Sequence, residues 1–145
     1  MELSSKVRYA LLATLELASH YEQREFLQIE QIAATHQIPD RYLGQLLMAL
    51  RRCGIVRSQR GAKGGYSLAR EPWKITVQEV LVCLEGTPKQ QPMGQTLCPT
   101  VEAWVVQEVW QEATTAAIAV LQGYTLEDLC KKRDENQQLY PTYDI

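Results

Sequence analysis

The sequence predicts a mainly α fold with a small β wing and a long C-terminal helix, and three observations carry that expectation. Apolar residues recur at helical spacing through most of the first 52 residues and again between 100 and 122. Between two short apolar segments lies RGAKGGYSL, Arg60 to Leu68, with three glycines and two basic residues, the composition of a hairpin tip. A stretch rich in proline and glycine, EGTPKQQPMGQTLCP from Glu85 to Pro99, then separates the two helical parts as a loop.

Length and composition fit this picture. A chain of 145 residues suits one domain with an oligomerising extension, and 46% apolar with 22% charged residues is enough to bury a core. No apolar run approaches the roughly 18 to 20 residues that cross a bilayer. Glu2 and Glu16 interrupt the apolar N-terminal segment, which has helical spacing, so no signal peptide is expected and the cytoplasm is the expected compartment. In that compartment the four cysteines, Cys53, Cys83, Cys98 and Cys130, are expected as free thiols. Cys53, Cys83 and Cys130 fall at apolar or mixed helical positions and read as small core residues.

Each element has a local reason. Ser4 and Ser5 can cap a first helix whose apolar stripe is Val7, Leu11, Leu15 and Ala18. Ile29, Ile32, Ala33 and His36 mark a short second helix. Pro39 disfavours helical geometry at Ile38 and suits the start of a third helix from Asp40 to about Arg52. In that third helix Leu43, Leu46, Leu47 and Leu50 form the apolar side. Arg41, Gln45, Met48 and Arg52 form the other, with Gly44 between them. Gly54 follows as a C-terminal cap. Ile55, Val56, Tyr66 and Leu68 read as the strands of a hairpin with a tight two-residue turn. A fourth helix carries Val77, Val80, Leu81 and Leu84. A long one runs from about Thr100 to Gln122, and a short last one is capped by Thr125, with a loose polar tail from Asn136. The divisions expected are therefore 1–84, the loop 85–99, helices over 100–135, and a flexible tail over 136–145.

The charge distribution points to function. Residues 41–74 hold Arg41, Arg51, Arg52, Arg57, Arg60, Lys63, Arg70 and Lys74 against the single acid Glu71, although the whole chain has a net charge of −2. A cationic module on an acidic body is the electrostatic footprint of a nucleic-acid surface, or else a solvated basic face. Two short helices joined by a tight break form a helix-turn-helix, and the basic hairpin after it makes the winged form. Arg and Gln on the third helix can pair with base edges in the major groove. Arg60 and Lys63, flanked by glycines, suit phosphates or a narrow minor groove. The expected DNA contacts are Ser5, Lys6, Arg41, Tyr42, Gln45, Arg51, Arg52, Arg60 and Lys63. Tyr42 can equally pack partly into the core, and Arg51, Arg52 and Arg57 can be solvated. His20 and His36 read as surface or capping residues. No nucleophile, base and orienting group assemble from spacing, so an enzyme is not expected.

The long helix has Val101, Val105, Val106, Val109, Trp110, Ala113, Ala116, Ala117, Val120 and Leu121 on more than one stripe. A face that wide needs burial on two sides, and a second copy of the chain is the simplest cover. Trp104 and Trp110 then read as dimer packing.

LSSKVRYAL, IPDRYLGQLLMALRRCGIVRSQRGAKGGYSLAR and ITVQEVL resemble the Rrf-two family of bacterial transcription regulators. The resemblance is strong from Met1 to about Leu84 and continues more weakly to about Leu129. YLGQLL, LRRCGIV and RGAKGGY are its most specific pieces. It implies a homodimer on double-stranded DNA with a dyad-symmetric operator, one third helix and one wing per half-site, and a dimer helix from Thr100. Members with Glu where this chain has Gly44 imply a different base preference there.

The resemblance also implies, for the sensor members, three cysteines in the loop before the long helix that hold a two-iron two-sulfur cluster. This chain departs from that pattern: Cys98 matches the last of the three, no cysteine stands between Gly86 and Leu97, and Val101 replaces a further His ligand. Such clusters usually take four protein ligands, mostly thiolates. Three readings of Cys98 stay open: a relic, an oxidant-sensing thiol, or an iron-sulfur ligand with unconventional partners. Two other functions stay open beside DNA regulation. One is a winged-helix adaptor that docks an acidic protein. The other is a sensor of a partner protein or small ligand, with a cavity between the long helix and the winged part.

Overall fold

The computed structural model describes residues 2–87 and 99–139, and the order of its elements follows from caps and periodicity. Helix α1 (Ser5–Ser19) starts where the Ser4 hydroxyl accepts from the Val7 amide. Its buried side is Val7, Ala10, Ala13, Thr14, Leu17 and Ala18, while Leu11 and Leu15 are only half-buried. The small alanines let neighbouring helices approach α1, so its inward stripe is rotated from the one that the larger residues mark. Helix α2 (Ile29–His36) ends at Gln37 in the left-handed region, φ 55°, and the Ile38 amide returns to the Ala33 carbonyl. That closes the tight break before α3 (Asp40–Arg52), whose N-cap is Pro39.

Leu43, Leu46, Leu47 and Leu50 of α3 are all buried, as their spacing predicts. Burial of each such side chain contributes about 1.5 to 3 kcal/mol before entropy is counted. They pack in one core with Leu17, Ile32, Ile55, Leu68, Ile75, Val80 and Leu126.

The hairpin is antiparallel, β1 (Val56–Gln59) against β2 (Gly65–Leu68), with Val56 opposite Leu68 and Gln59 opposite Gly65. Five residues, 60–64, connect the strands, where a two-residue turn is expected from the glycines. Leu27 and Tyr66 exchange both backbone hydrogen bonds at 2.8 Å, which fastens the hairpin to the segment before α2. A 3₁₀ turn, Pro72–Lys74, then leads to α4 (Val77–Glu85).

Helices α5 (Val101–Gln122) and α6 (Leu126–Leu139) complete the chain. Thr76 with Glu79 and Thr125 with Asp128 make reciprocal caps at the starts of α4 and α6. Just before those starts, the Val77 amide bonds the Tyr124 carbonyl and the Leu126 amide bonds the Ile75 carbonyl, both at 2.9 Å. This short bridge folds α6 back onto α1. Helix α6 runs through residues 136–139, where a loose tail is expected, because the polar run LCKKRDENQQL has good helix formers and no breaker.

Two cysteines differ from expectation. Cys53 and Cys83 are joined by a disulfide, with Cα atoms 6.0 Å apart, and Cys53 is exposed where a buried thiol is expected. The packing of α3 against α4 brings them together across 30 residues of sequence. Cys130 is a free, half-buried thiol beside the core. Burial pushes it above the ordinary thiol range, with Arg133 acting in the opposite direction.

Candidate nucleic-acid interface

The outward side of α3 is built by subtraction. Once four leucines face inward, Arg41, Gln45, Met48 and Arg52 at spacings of four, three and four share one exposed stripe. None of Arg41, Gln45, Arg51 or Arg52 has a side-chain hydrogen bond or ion pair among the described residues. Arg51 and Arg52 also sit in the last turn of α3, where cations complement the helix dipole. Gly44 lies beside the stripe and is half-buried. A Cβ there would meet only Ile29 Cδ1, at 3.8 Å. Tyr42 is half-buried and stands edge-on to Tyr9, 5.8 Å between ring centres, so core packing holds much of its ring.

Arg60 and Lys63 are exposed at the hairpin tip, without an acidic partner among the described residues. Between the tip and the N-terminus of α2 lies a groove of about 430 Å³, lined among others by Arg24, Glu25, Gln28, Gln31, Lys63 and Gly64. Arg24, Gln28 and Gln31 are polar groups that sequence reasoning passed over. They reach the wing only through the Leu27–Tyr66 pairing, which leaves no local pattern in the chain.

Other expected contacts are placed differently. Ser5 and Lys6 are exposed in the first turn of α1, but the Lys6 ammonium donates to the Leu84 carbonyl at 2.8 Å and ties α1 to α4. Arg57 donates from Nε to Ser67 Oγ at 3.0 Å, and its guanidinium stacks over Phe26. Those two contacts brace the base of the wing. His20 and His36 both pair with Glu16, and His20 also faces Glu25. They join α1 to its neighbouring segments.

A helix-turn-helix followed by a hairpin wing, with a cationic recognition-type helix, is a DNA-binding arrangement. Comparison with known proteins decides the lineage. The family model Rrf2, described as an iron-dependent transcriptional regulator, matches residues 3–132.

The chain belongs to the Rrf2 family. It is a DNA-binding transcription regulator and not an enzyme.

The HTH-type transcriptional regulator CymR of Bacillus subtilis is 36% identical over 143 residues, covering 99% of each chain. Two solved structures are similar. T. potens IscR has a TM-score of 0.78 at 34% identity and covers 94% of this chain and 91% of its own. B. subtilis CymR, described as the global cysteine regulator, has a TM-score of 0.77 at 34% identity and covers 91% and 98%.

The cluster implied by resemblance finds no donor set in the described residues. No group of three or more His, Cys, Asp or Glu side chains there is placed to share a metal ion. Cys53 and Cys83 are bonded to each other, and Cys130 lies on the side of α6 that faces α1. Cys98 and most of the loop over 85–99 lie outside the described residues. So do residues 140–145 of the tail.

Proposed function

We propose that this Rrf2-family regulator acts in the cytoplasm as a homodimer on a dyad-symmetric operator, with α3 in the major groove and the wing on the flanking backbone or minor groove. The observation that carries this reading is the α3 stripe of Arg41, Gln45 and Arg52, exposed and free of acidic partners among the described residues, beside a wing whose Arg60 and Lys63 are equally free. Arg41 and Gln45 read base edges. Arg51, Arg52, Arg60, Lys63 and Ser5 hold phosphates, and the tethered Lys6 positions the start of α1. No described helix is long and apolar enough to cross a membrane.

Helix α5 supports the dimer. It has no buried residue, and Val101, Val106 and Trp110 are 76%, 69% and 68% exposed. Apolar side chains left that open on a 22-residue helix call for a partner surface, and a second copy supplies one with a twofold axis that matches a palindrome.

The test is affinity for operator DNA across a salt series, with wild type and Arg60→Ala. Wild-type binding falls steeply with salt through counterion release, and Arg60→Ala lowers both the affinity and the salt slope, the slope by about 2 because each dimer loses one contact per half-site. Unchanged affinity and slope in Arg60→Ala at low salt overturn the wing assignment.

One observation favours a ligand-sensing role beside this one. An apolar groove of about 380 Å³ lies between α1, α4 and α5, lined by Leu3, Val7, Leu11, Leu81, Ile118 and Leu121. It has the place expected for a sensor cavity between the long helix and the winged part.

A further inference from the structure

The Cys53–Cys83 bond joins two parts of the molecule with different tasks. Cys53 is the C-cap of α3, directly after Arg51 and Arg52 and directly before Gly54, whose φ of +76° turns the chain into the wing. Cys83 lies in α4, which packs on α5. The segment closed by the bond contains β1, the wing tip, β2 and the 3₁₀ turn. The bond thus ties the end of α3, where the chain enters the wing, to α4.

Access differs between the two sulfurs. Cys53 is exposed and Cys83 half-buried. A cleft of about 340 Å³ runs along the pair, lined among others by Cys53, Cys83, Arg70, Glu79 and Val82. A small polar oxidant or a reducing thiol can therefore reach the bond from solvent. The Cα separation of 6.0 Å lies in the ordinary disulfide range, so the backbone needs no rearrangement to form the bond. In a reducing compartment such a bond is a transient one, formed when oxidant is present, which is the common role of disulfides there.

We propose that Cys53 and Cys83 are a redox-modification site, a dithiol that hydrogen peroxide converts to a disulfide and that thereby fixes the recognition helix and the wing to α4. The exposed Cys53 thiolate attacks one peroxide oxygen, which breaks the O–O bond, gives Cys53 sulfenic acid and, with one proton, releases water. The Cys83 sulfur then displaces the sulfenic hydroxyl as a second water. Two thiols and one peroxide become one disulfide and two waters. A cellular dithiol reverses the step by exchange and is itself oxidised. The consequence for DNA affinity rests on the DNA-binding reading above: an α3 and wing held in one geometry lose less freedom on binding.

The experiment uses the full chain, reduced and then titrated with hydrogen peroxide. Three readouts follow: peptide mass mapping, amide hydrogen exchange and operator affinity. The map is expected to show a Cys53–Cys83 peptide pair two mass units lighter than the two reduced peptides. Amides of residues 53–57 exchange at least about fivefold more slowly in the oxidised form. A Cys83→Ser chain leaves a sulfenic acid at Cys53 that a cyclic diketone traps, and a Cys98→Ser, Cys130→Ser chain still forms the bond. Operator affinity is higher in the oxidised form by about threefold or more, and Cys53→Ser removes the peroxide response. Free thiols at both positions after peroxide, or pairing of Cys53 with Cys98 or Cys130 instead, overturns the couple. Equal exchange rates in the two forms overturn the clamp, and equal operator affinities overturn its link to DNA. Binding in neither form counts against the DNA-binding reading instead, and the map and exchange rates then decide the couple.

Discussion

Gly65 lies so close to Leu27 that a Cβ on it would come within 2.3 Å of the Leu27 carbonyl oxygen. The neighbouring Gly64 is similarly constrained, since its Cβ would stand 2.1 Å from the Gln59 carbonyl oxygen. Two of the three wing glycines are therefore demanded by the fold itself. Gly61, with φ of +106° and open space around it, is the one that faces outward.

This separates two substitutions. Gly65→Ala combines a backbone clash with a φ of +141°, and is expected to lower stability by roughly 2 kcal/mol or more. Gly61→Ala carries only the conformational penalty, roughly 1 kcal/mol. Chemical denaturation of the two variants checks the order, and equal losses would remove the Leu27 contact as the reason for Gly65.

Gly44 beside the α3 stripe can take a side chain, because its nearest neighbour, Ile29 Cδ1, would stand at ordinary contact distance. Gly44→Glu should fold normally, with a small gain in helix propensity. Its carboxylate can accept from cytosine where Gly cannot, so base preference should shift at one position in each half-site. A parallel selection of binding sites by wild type and variant measures this, and identical motifs would refute it.

The exposed row on α5 yields a test of association. Val106→Asp puts a charge on a side chain that is already solvated within a single chain, so the protomer should keep its fold. The dimer Kd should rise at least about tenfold, by burial of an unpaired carboxylate. Sedimentation of both proteins with a circular dichroism control reports the two effects separately. An unaltered dimer would move the interface away from this face.

Cys130 offers a check on the packing of α6 against α1. Burial raises its thiol above the ordinary range, so little thiolate is present near neutral pH and alkylation should be at least about tenfold slower than in the urea-unfolded chain. Raising the pH through the folded value deprotonates the thiol and narrows that gap. A rate equal to that of the unfolded chain at pH 7 would show that α1 does not cover it.

The parts legible in the sequence are those with local causes. Four leucines at helical spacing fix the inward side of α3 and leave Arg41, Gln45 and Arg52 outward. Ser4 and Thr125, the expected caps, do cap α1 and α6 through their hydroxyls. The parts that were not legible depend on distant segments meeting. Leu27 pairs with Tyr66, Thr76 with Thr125, and Cys53 with Cys83, and no spacing rule links any of these. The Leu84 carbonyl that holds Lys6 is equally remote, 78 residues along the chain. The 3₁₀ turn at Pro72–Lys74 is too short to show a period.

Selection of binding sites from random double-stranded DNA by the full chain, followed by footprinting of the best site, tests the central claim most directly. The account predicts an enriched motif with twofold symmetry, half-sites centred about one or more helical turns apart, and one dimer protected per site. Enrichment of no motif, or of a lone asymmetric half-site bound by one chain, would contradict it.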